Sequence, residues 1–322
     1  MNYSWKRDLW ESFCVLVVIL TLPACLLTTG ILMANRYTRY PFIIGYALWA
    51  VVDKKKNGKR KGPWWCGKMR KLKGMNWLIK GVRGYFDGAE IKFVDKTAIE
   101  MIKGPIIFGC HPHGIFGLSP LINFGIGAAL EGGVGESLPT SKPIHVLTLR
   151  FSFLIPFWRD LLMRFGLGPV DKETCRKVLK EAGHSIAVVV GGAREALYAR
   201  PGHYEIILKK RRGLFKLAVE QETSIVPVFS FGDVDLYEQV NLPWPISLIQ
   251  ILSMKLIGFS LPFPSGRFGT LLPLRRRLMT VIGKPIDPKG MSVEELQNVY
   301  IEQVQEIYFN YSPKNSEKLL IK

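Results

Sequence analysis

Cysteine is scarce in this chain, and what there is follows no pattern. Cys14, Cys25, Cys66, Cys110 and Cys175 are odd in number, show no C-x-x-C spacing, and two lie inside an apolar N-terminal run. That excludes a disulfide framework and a zinc ribbon, and fits a reducing, cytosol-facing domain. Acidic residues are missing from 54–83, which holds twelve Lys/Arg and leaves only +6 of the net +18 for everything else. So concentrated a positive stretch suits phosphate, whether of lipid head groups, a phosphorylated cofactor or nucleic acid. No G-x-S-x-G elbow occurs, because Gly117-Leu118-Ser119-Pro120-Leu121 fails at its last position. Internal repeats and low-complexity tails are absent as well. Histidine numbers only five, yet His111 and His113 stand within three residues of each other.

What is present points to a membrane. The 322 residues are 48% hydrophobic and 22% charged, a mixture suited to a globular domain tied to a bilayer. Phe13 to Ala34 carries no charge over 22 residues. That is enough to cross a hydrocarbon core of ~30 Å at ~1.5 Å per residue, and it is longer than a signal-peptide core of ~7–15 residues. A second apolar run, 40–52, falls short of the ~17 residues of a straight crossing. It either completes a hairpin or packs on the domain. Lys54 to Lys61 and then Trp64-Trp65 follow at once, a basic and aromatic flank that marks the cytoplasmic side.

These runs divide the chain into an anchor over 1–53, a basic interfacial segment over 54–90 and a cytosol-facing domain over 91–322. Within the basic segment, Trp65, Met69, Leu72, Met75, Ile79, Val82 and Phe86 recur every three or four residues. The spacing predicts a helix lying on anionic lipid, although Arg83 falls near its apolar side. A nucleic-acid groove is disfavoured, because the belt is tethered beside a membrane segment and carries no reading motif.

Beyond it, strand-like runs alternate with helical patterns. The runs are 105–110, 145–149, 185–190, 205–208, 224–229 and 279–282, which predicts an α/β domain around a largely buried sheet. Ser119 before Pro120, Asp171, and Ser292 with Glu295 in capping-box spacing read as helix starts, and 212–222 as a further helix. Leu242–Pro264 breaks the rhythm, being apolar, proline-rich and suited to membrane contact or to covering a substrate tunnel.

Three turns carry polar chemistry. The first, His111-Pro112-His113-Gly114, closes an apolar strand, where reactive groups of α/β sheets collect. A histidine there suits a general base, Pro112 fixes the backbone, and N–H groups near Gly114 suit a developing oxyanion. Two satisfied structural histidines would look the same. A metal would need further ligands, and Ile115 to Leu118 supplies none; Cys110 and His111 are strand neighbours and point to opposite faces. The second turn, Gly191-Gly192-Ala193-Arg194-Glu195, suits an orienting or substrate-contacting acid, or else a surface salt bridge. The third, Lys209-Lys210-Arg211-Arg212-Gly213, is an anion site at a helix start or a solvated charge run.

In register, these turns resemble the type-2 diacylglycerol acyltransferase family, which includes monoacylglycerol and wax-alcohol acyltransferases. The resemblance rests on His111-Pro112-His113-Gly114, Val189 to Leu197, Arg200-Pro201-Gly202, and Arg211-Arg212-Gly213 leading to Ile225 through Gly232. It implies a glycerophosphate-acyltransferase-like mixed sheet flanked by helices, with an N-terminal membrane-embedded helical hairpin. It also implies acyl-CoA as co-substrate, no bound cofactor or metal, and a neutral-lipid hydroxyl as acceptor. In that reading His113 deprotonates the acceptor, His111 and Glu195 assist, and donors near Gly114 and Pro112 hold the oxyanion. Arg211, Arg212, Gly213, Gly191, Gly192 and Arg194 then contact acyl-CoA or substrate. The expected setting is the endoplasmic reticulum membrane or a lipid-droplet surface, with self-association left open and no nucleic acid. Alternatives are a lipid thioesterase and a non-enzymatic lipid-binding anchor. The chain departs from the family at Leu214 and at Glu222, where a glycine is usual, and at Tyr300, where histidine is common. The related glycerophosphate acyltransferases carry an acid in the place of Leu118.

Overall fold

In a computed structural model the described residues are 4–58, 73–125, 143–240, 263–313 and 317–322, with single positions 134, 248 and 252. Two long helices open the chain, α1 (Trp5–Ala34) and α2 (Arg36–Gly58), so the helix that holds the second apolar run extends well beyond 40–52. They meet at Asn35, whose Oδ1 accepts the Tyr37 N–H at 2.9 Å and caps α2. Thr38 Oγ1 and Arg39 Nε donate to the carbonyls of Leu32 and Met33, so the last turn of α1 is satisfied without water. The hairpin is tied to one domain at the foot of α1 and along α2 as far as Phe42, whose ring stacks on Phe157. Asp8 pairs with Arg267 at 2.8 Å and Glu11 with Arg275 at 2.6 Å; on α2, Tyr46 Oη donates to Asp160 and Asp53 pairs with Arg159 at 2.7 Å.

The striped segment forms α3 (Lys73–Tyr85); residues 59–72, with most of the basic belt, lie outside the described residues. Leu78, Ile79, Val82, Tyr85 and Phe86 are buried, against α1 and the domain rather than against lipid. The misplaced Arg83 is explained: it is buried, donating to Asn123 Oδ1 and the Ala89 carbonyl, both at 2.8 Å. An amphipathic stripe reads alike whether lipid or protein covers it, and here protein does.

Eleven strands are described: β1 (Glu90–Phe93), β2 (Ile107–His111), β3 (Ile144–Thr148), β4 (Gly168–Pro169), β5 (Ser185–Val189), β6 (Glu205–Ile206), β7 (Ile225–Phe231), β8 (Glu238–Gln239), β9 (Pro264–Ser265), β10 (Met279–Ile282) and β11 (Leu320–Ile321). Seven form the main sheet in the order β1-β10-β7-β2-β5-β3-β4, parallel except where β10 runs against β7. The sheet is therefore mixed and flanked by helices. β2 and β7 are buried along their whole length, as strands covered on both faces must be. The run 205–208 is the exception among the expected strands: β6 pairs with the C-terminal β11, outside this sheet. The proline-rich stretch 242–264 falls almost wholly outside the described residues.

Helix starts follow local chemistry in two of three places. Asp171 accepts the Thr174 N–H at 2.8 Å, and Ser292 with Glu295 closes a full capping box on Val293–Tyr311. Ser119 does not cap; Gly117, at φ 63°, opens the short helix Leu118–Pro120, and Ser119 is buried inside it. The helix Arg212–Glu220 ends in a Schellman motif, with Thr223 N–H to Ala218 O at 3.0 Å and Glu222 N–H to Val219 O at 3.2 Å. The motif puts exposed Glu222 at φ 45°, which explains why glycine suits this place. A left-handed L-residue costs roughly 1–2 kcal/mol, and glycine returns roughly 0.5–1 of that as entropy. Glu222→Gly should therefore stabilise the protein by about 0.5–1 kcal/mol, read as a higher thermal midpoint in detergent; an unchanged or lower midpoint would refute the strain.

Candidate active site

β5, β2 and β7 are adjacent and parallel, so their C-terminal ends share one edge of the sheet and the turns leaving them meet. β2 runs into His111-Pro112-His113-Gly114, with a cis peptide before Pro112. β5 runs into Gly191-Gly192 and the helix Ala193–Tyr198; β7 runs into Gly232-Asp233.

His111 is the last residue of its strand and fully buried, not a group beyond the strand end. Its Nε2 lies 3.0 Å from Tyr300 Oη, which itself lies 2.9 Å from the Gly109 carbonyl. A carbonyl only accepts, so the single tyrosine hydrogen goes to Gly109 and His111 Nε2–H donates to the tyrosine oxygen. Nδ1 is then a bare, buried acceptor with no partner among the described residues. Desolvation lowers the pKa to about 3, and the ring stays neutral. Cys110 packs into the core on the other face of the sheet, where burial pushes its thiol up and out of nucleophilic range.

His113 is partly exposed. Its backbone N–H donates to Glu195 Oε2 at 2.8 Å, and its Nδ1 lies 3.0 Å from the Gly114 carbonyl. By the same argument Nδ1 carries the hydrogen and Nε2 keeps its lone pair. Burial holds this histidine below its ordinary pKa, so the lone pair is available at neutral pH.

Glu195 takes hold of the backbone and not of the imidazole. Its Oε2 accepts from His113 N–H and its Oε1 from Ile207 N–H at 2.7 Å, locking the first turn to the strand at 205–206. Among the described residues neither Glu195 nor His111 hydrogen-bonds the His113 ring; Glu195 acts on the backbone that carries it. Desolvation raises the Glu195 pKa to about 7 against the pull of the two N–H groups and Arg211. A Cβ on Gly191 would overlap the Glu195 carboxylate, so that position admits glycine alone.

Arg211 reaches into the same turn, its Nη2 donating to the Gly191 carbonyl at 2.7 Å. It braces the site from behind and does not present that nitrogen to phosphate. Arg212, Gly213, Lys209 and Lys210 stay exposed at the helix start, and Arg194 is exposed on its own helix. Thus His111, Pro112, His113, Gly114, Gly191, Gly192, Glu195 and Arg211 come together, whereas Arg194, Arg212 and Gly213 stand apart from them.

Two residues of the site were not among the expected ones. Tyr300 stands beneath it as the partner of His111. Asp233, buried at the end of β7, accepts the Ser119 N–H at 3.0 Å, and desolvation raises its pKa to about 7. Its signal was there to be read: a glycine and an acid closing an apolar strand, as at 191–195. For Tyr300, a test follows from Gly109, where a Cβ would run into the tyrosine hydroxyl. Tyr300→Phe strands His111 Nε2–H, costing about 1–3 kcal/mol, but removes the hydroxyl that a Gly109→Ala methyl group would strike. The double variant should be less destabilised than the sum of the singles; additive losses in detergent melting curves would dispose of the contact.

The diacylglycerol acyltransferase family profile matches residues 34–321. The chain is 40% identical over 228 residues to diacylglycerol O-acyltransferase 2 of Dictyostelium discoideum, covering 66% of this chain and 67% of that one. It is 34% identical to diacylglycerol O-acyltransferase 2B of Umbelopsis ramanniana over 95% of this chain and 88% of the other. To mouse 2-acylglycerol O-acyltransferase 1 it is 34% identical over 65% of each. Among solved structures, the 1-acyl-sn-glycerophosphate acyltransferase PlsC of Thermotoga maritima aligns at a TM-score of 0.44 and 14% identity, covering 90% of this chain and 99% of that one. The fold stands on the strand pairing itself and does not lean on that last likeness. With the three turns in register and the profile spanning nearly the whole chain, the protein is a member of the diacylglycerol acyltransferase family.

Proposed function

We propose that this acylglycerol O-acyltransferase takes its acyl group from acyl-CoA and hands it to diacylglycerol, with His113 as general base. The observation that carries the mechanism is the hydrogen bond from His113 Nδ1–H to the Gly114 carbonyl. It leaves Nε2 as the base on a part-exposed ring. In the transfer, Nε2 takes the proton of the acceptor hydroxyl as that oxygen attacks the thioester carbonyl. Backbone N–H groups near Gly114 hold the oxyanion. The intermediate collapses by breaking the carbon–sulfur bond, and the thiolate of CoA recovers the proton from His113. The buried thiol of Cys110 and the buried Ser119 favour this direct attack over an acyl-enzyme. Lys209, Lys210 and Arg212, exposed at a helix N-terminus, suit the CoA phosphates.

The N-terminal apolar helix associates the enzyme with a membrane. Phe13–Ala34 spans about 33 Å at ~1.5 Å per residue. Arg36 and Arg39 at the hairpin tip suit lipid headgroups. A cytosolic domain on the endoplasmic reticulum is the setting this favours. The test is product analysis. Microsomes carrying the protein, given labelled acyl-CoA and separately monoacylglycerol, diacylglycerol or a long-chain alcohol, should make most ester with diacylglycerol. Label recovered only as free fatty acid would identify a hydrolase, and no CoA release with any acceptor would overturn the donor.

A further inference from the structure

We propose that Asp233 is a second carboxylate that positions the histidine turn, seating Gly114 from the β7 side as Glu195 seats His113 from the β5 side. The inference rests on His113 being the base. β2 lies between β5 and β7 in the sheet, so each neighbour can send one acid to the turn that leaves β2. The two acids act on different atoms. Glu195 accepts the His113 N–H, at the entry to the turn. Asp233 Oδ2 accepts the Ser119 N–H, where the turn becomes a helix.

Between those anchors lies Gly114, whose carbonyl holds His113 Nδ1–H. Gly114 adopts φ 58°, and a Cβ there would stand 2.9 Å from Asp233 Oδ1 and 3.0 Å from the Asp233 carbonyl. The Gly114 backbone therefore lies against Asp233 with no room for a side chain between them, and the turn that carries the imidazole is packed on the aspartate. Asp233 is itself fixed. Gly232 before it sits at φ 90°, with the Arg277 carbonyl filling the space a side chain would need. Asp235 after it accepts the Gly202 N–H at 2.5 Å. A carboxylate only 2% exposed is costly to bury, and the N–H it takes up comes from the helix that continues the histidine turn. By holding the turn it keeps His113 Nε2 aimed at the acceptor hydroxyl while the proton is transferred. Such help is given in the transition state and not in substrate binding, so it shows in kcat.

The full-length protein in microsomes, assayed with acyl-CoA and diacylglycerol, tests this with Asp233→Asn, Asp233→Ala and His113→Ala. Asparagine keeps the shape and one acceptor oxygen but no charge. It should lower kcat about tenfold, with both KM values within about twofold, because an amide nitrogen replaces one of the two oxygens that seat the turn. Alanine should cost about tenfold more, as Gly114 loses its support. Melting curves in detergent identify a misfolded alanine variant, in which case the asparagine variant decides. Wild-type kcat in a folded Asp233→Asn, or a loss confined to KM, overturns the proposal while an inactive His113→Ala leaves the base assignment standing. Full activity of His113→Ala overturns the base assignment itself.

Discussion

His113→Ala is expected to lower kcat about 10²–10⁴-fold and leave the thermal midpoint almost unchanged. The separation of the two effects is what makes the result informative. The His113 side chain is partly exposed, and its described hydrogen bond is to the carbonyl of the next residue, so its loss opens no core cavity. His111→Ala behaves the other way. It empties a fully buried site and removes the donor to the Tyr300 oxygen, and it should lower stability by several kcal/mol, roughly as other large-to-small core changes do. Kinetics and detergent melting on the two variants side by side separate a base from a beam. A His113→Ala protein that turns over normally would end the mechanism.

Glu195→Ala is expected to cost about 2–6 kcal/mol and most of the activity. Two partly buried N–H groups, of His113 and Ile207, lose their acceptor, at up to roughly 1–3 kcal/mol each. Gly191→Ala should arrive at the same defect from the opposite side, because its methyl group must displace the carboxylate it would overlap. The two changes share one cause, so the double variant should be little worse than either single one. Melting midpoints of all three proteins, read with their ester-forming rates, test this. An unchanged midpoint for Glu195→Ala would show that the carboxylate is not holding the turn.

Much of the fold was open to reading because its signals are local. The strand at 279–282 is where its apolar pattern puts it, and 107–111, 144–148, 185–189 and 225–231 lie within two residues of their expected ends. Asp171 and the Ser292–Glu295 box cap the helices that their spacing predicts. The errors came where a side chain's partner lies far along the chain. Ser119 before proline has the form of a cap, but Asp233, 114 positions away, takes up its N–H instead. The stripe of α3 has the form of a lipid-facing surface, but α1 covers it. Strands β1 and β4 went unnoticed because four partly buried residues and two residues carry too little periodicity to register.

The same division runs through the site. Sequence alone determined that the chain has an apolar N-terminal run, an α/β domain, and a histidine pair, a Gly-Gly-Glu turn and a basic helix start in one order, since each is written in neighbouring residues. Only the tertiary structure decided which nitrogen of each histidine carries the hydrogen, because that depends on Tyr300 and Gly109 for one and on the Gly114 carbonyl for the other. It alone turned Glu195 toward the His113 backbone and away from the ring, set Arg211 against the Gly191 carbonyl, and brought Asp233 under Gly114. The physical reason is the strand order: β5, β2 and β7 are far apart in the chain and adjacent in the sheet, and hydrogen bonds form between neighbours in space.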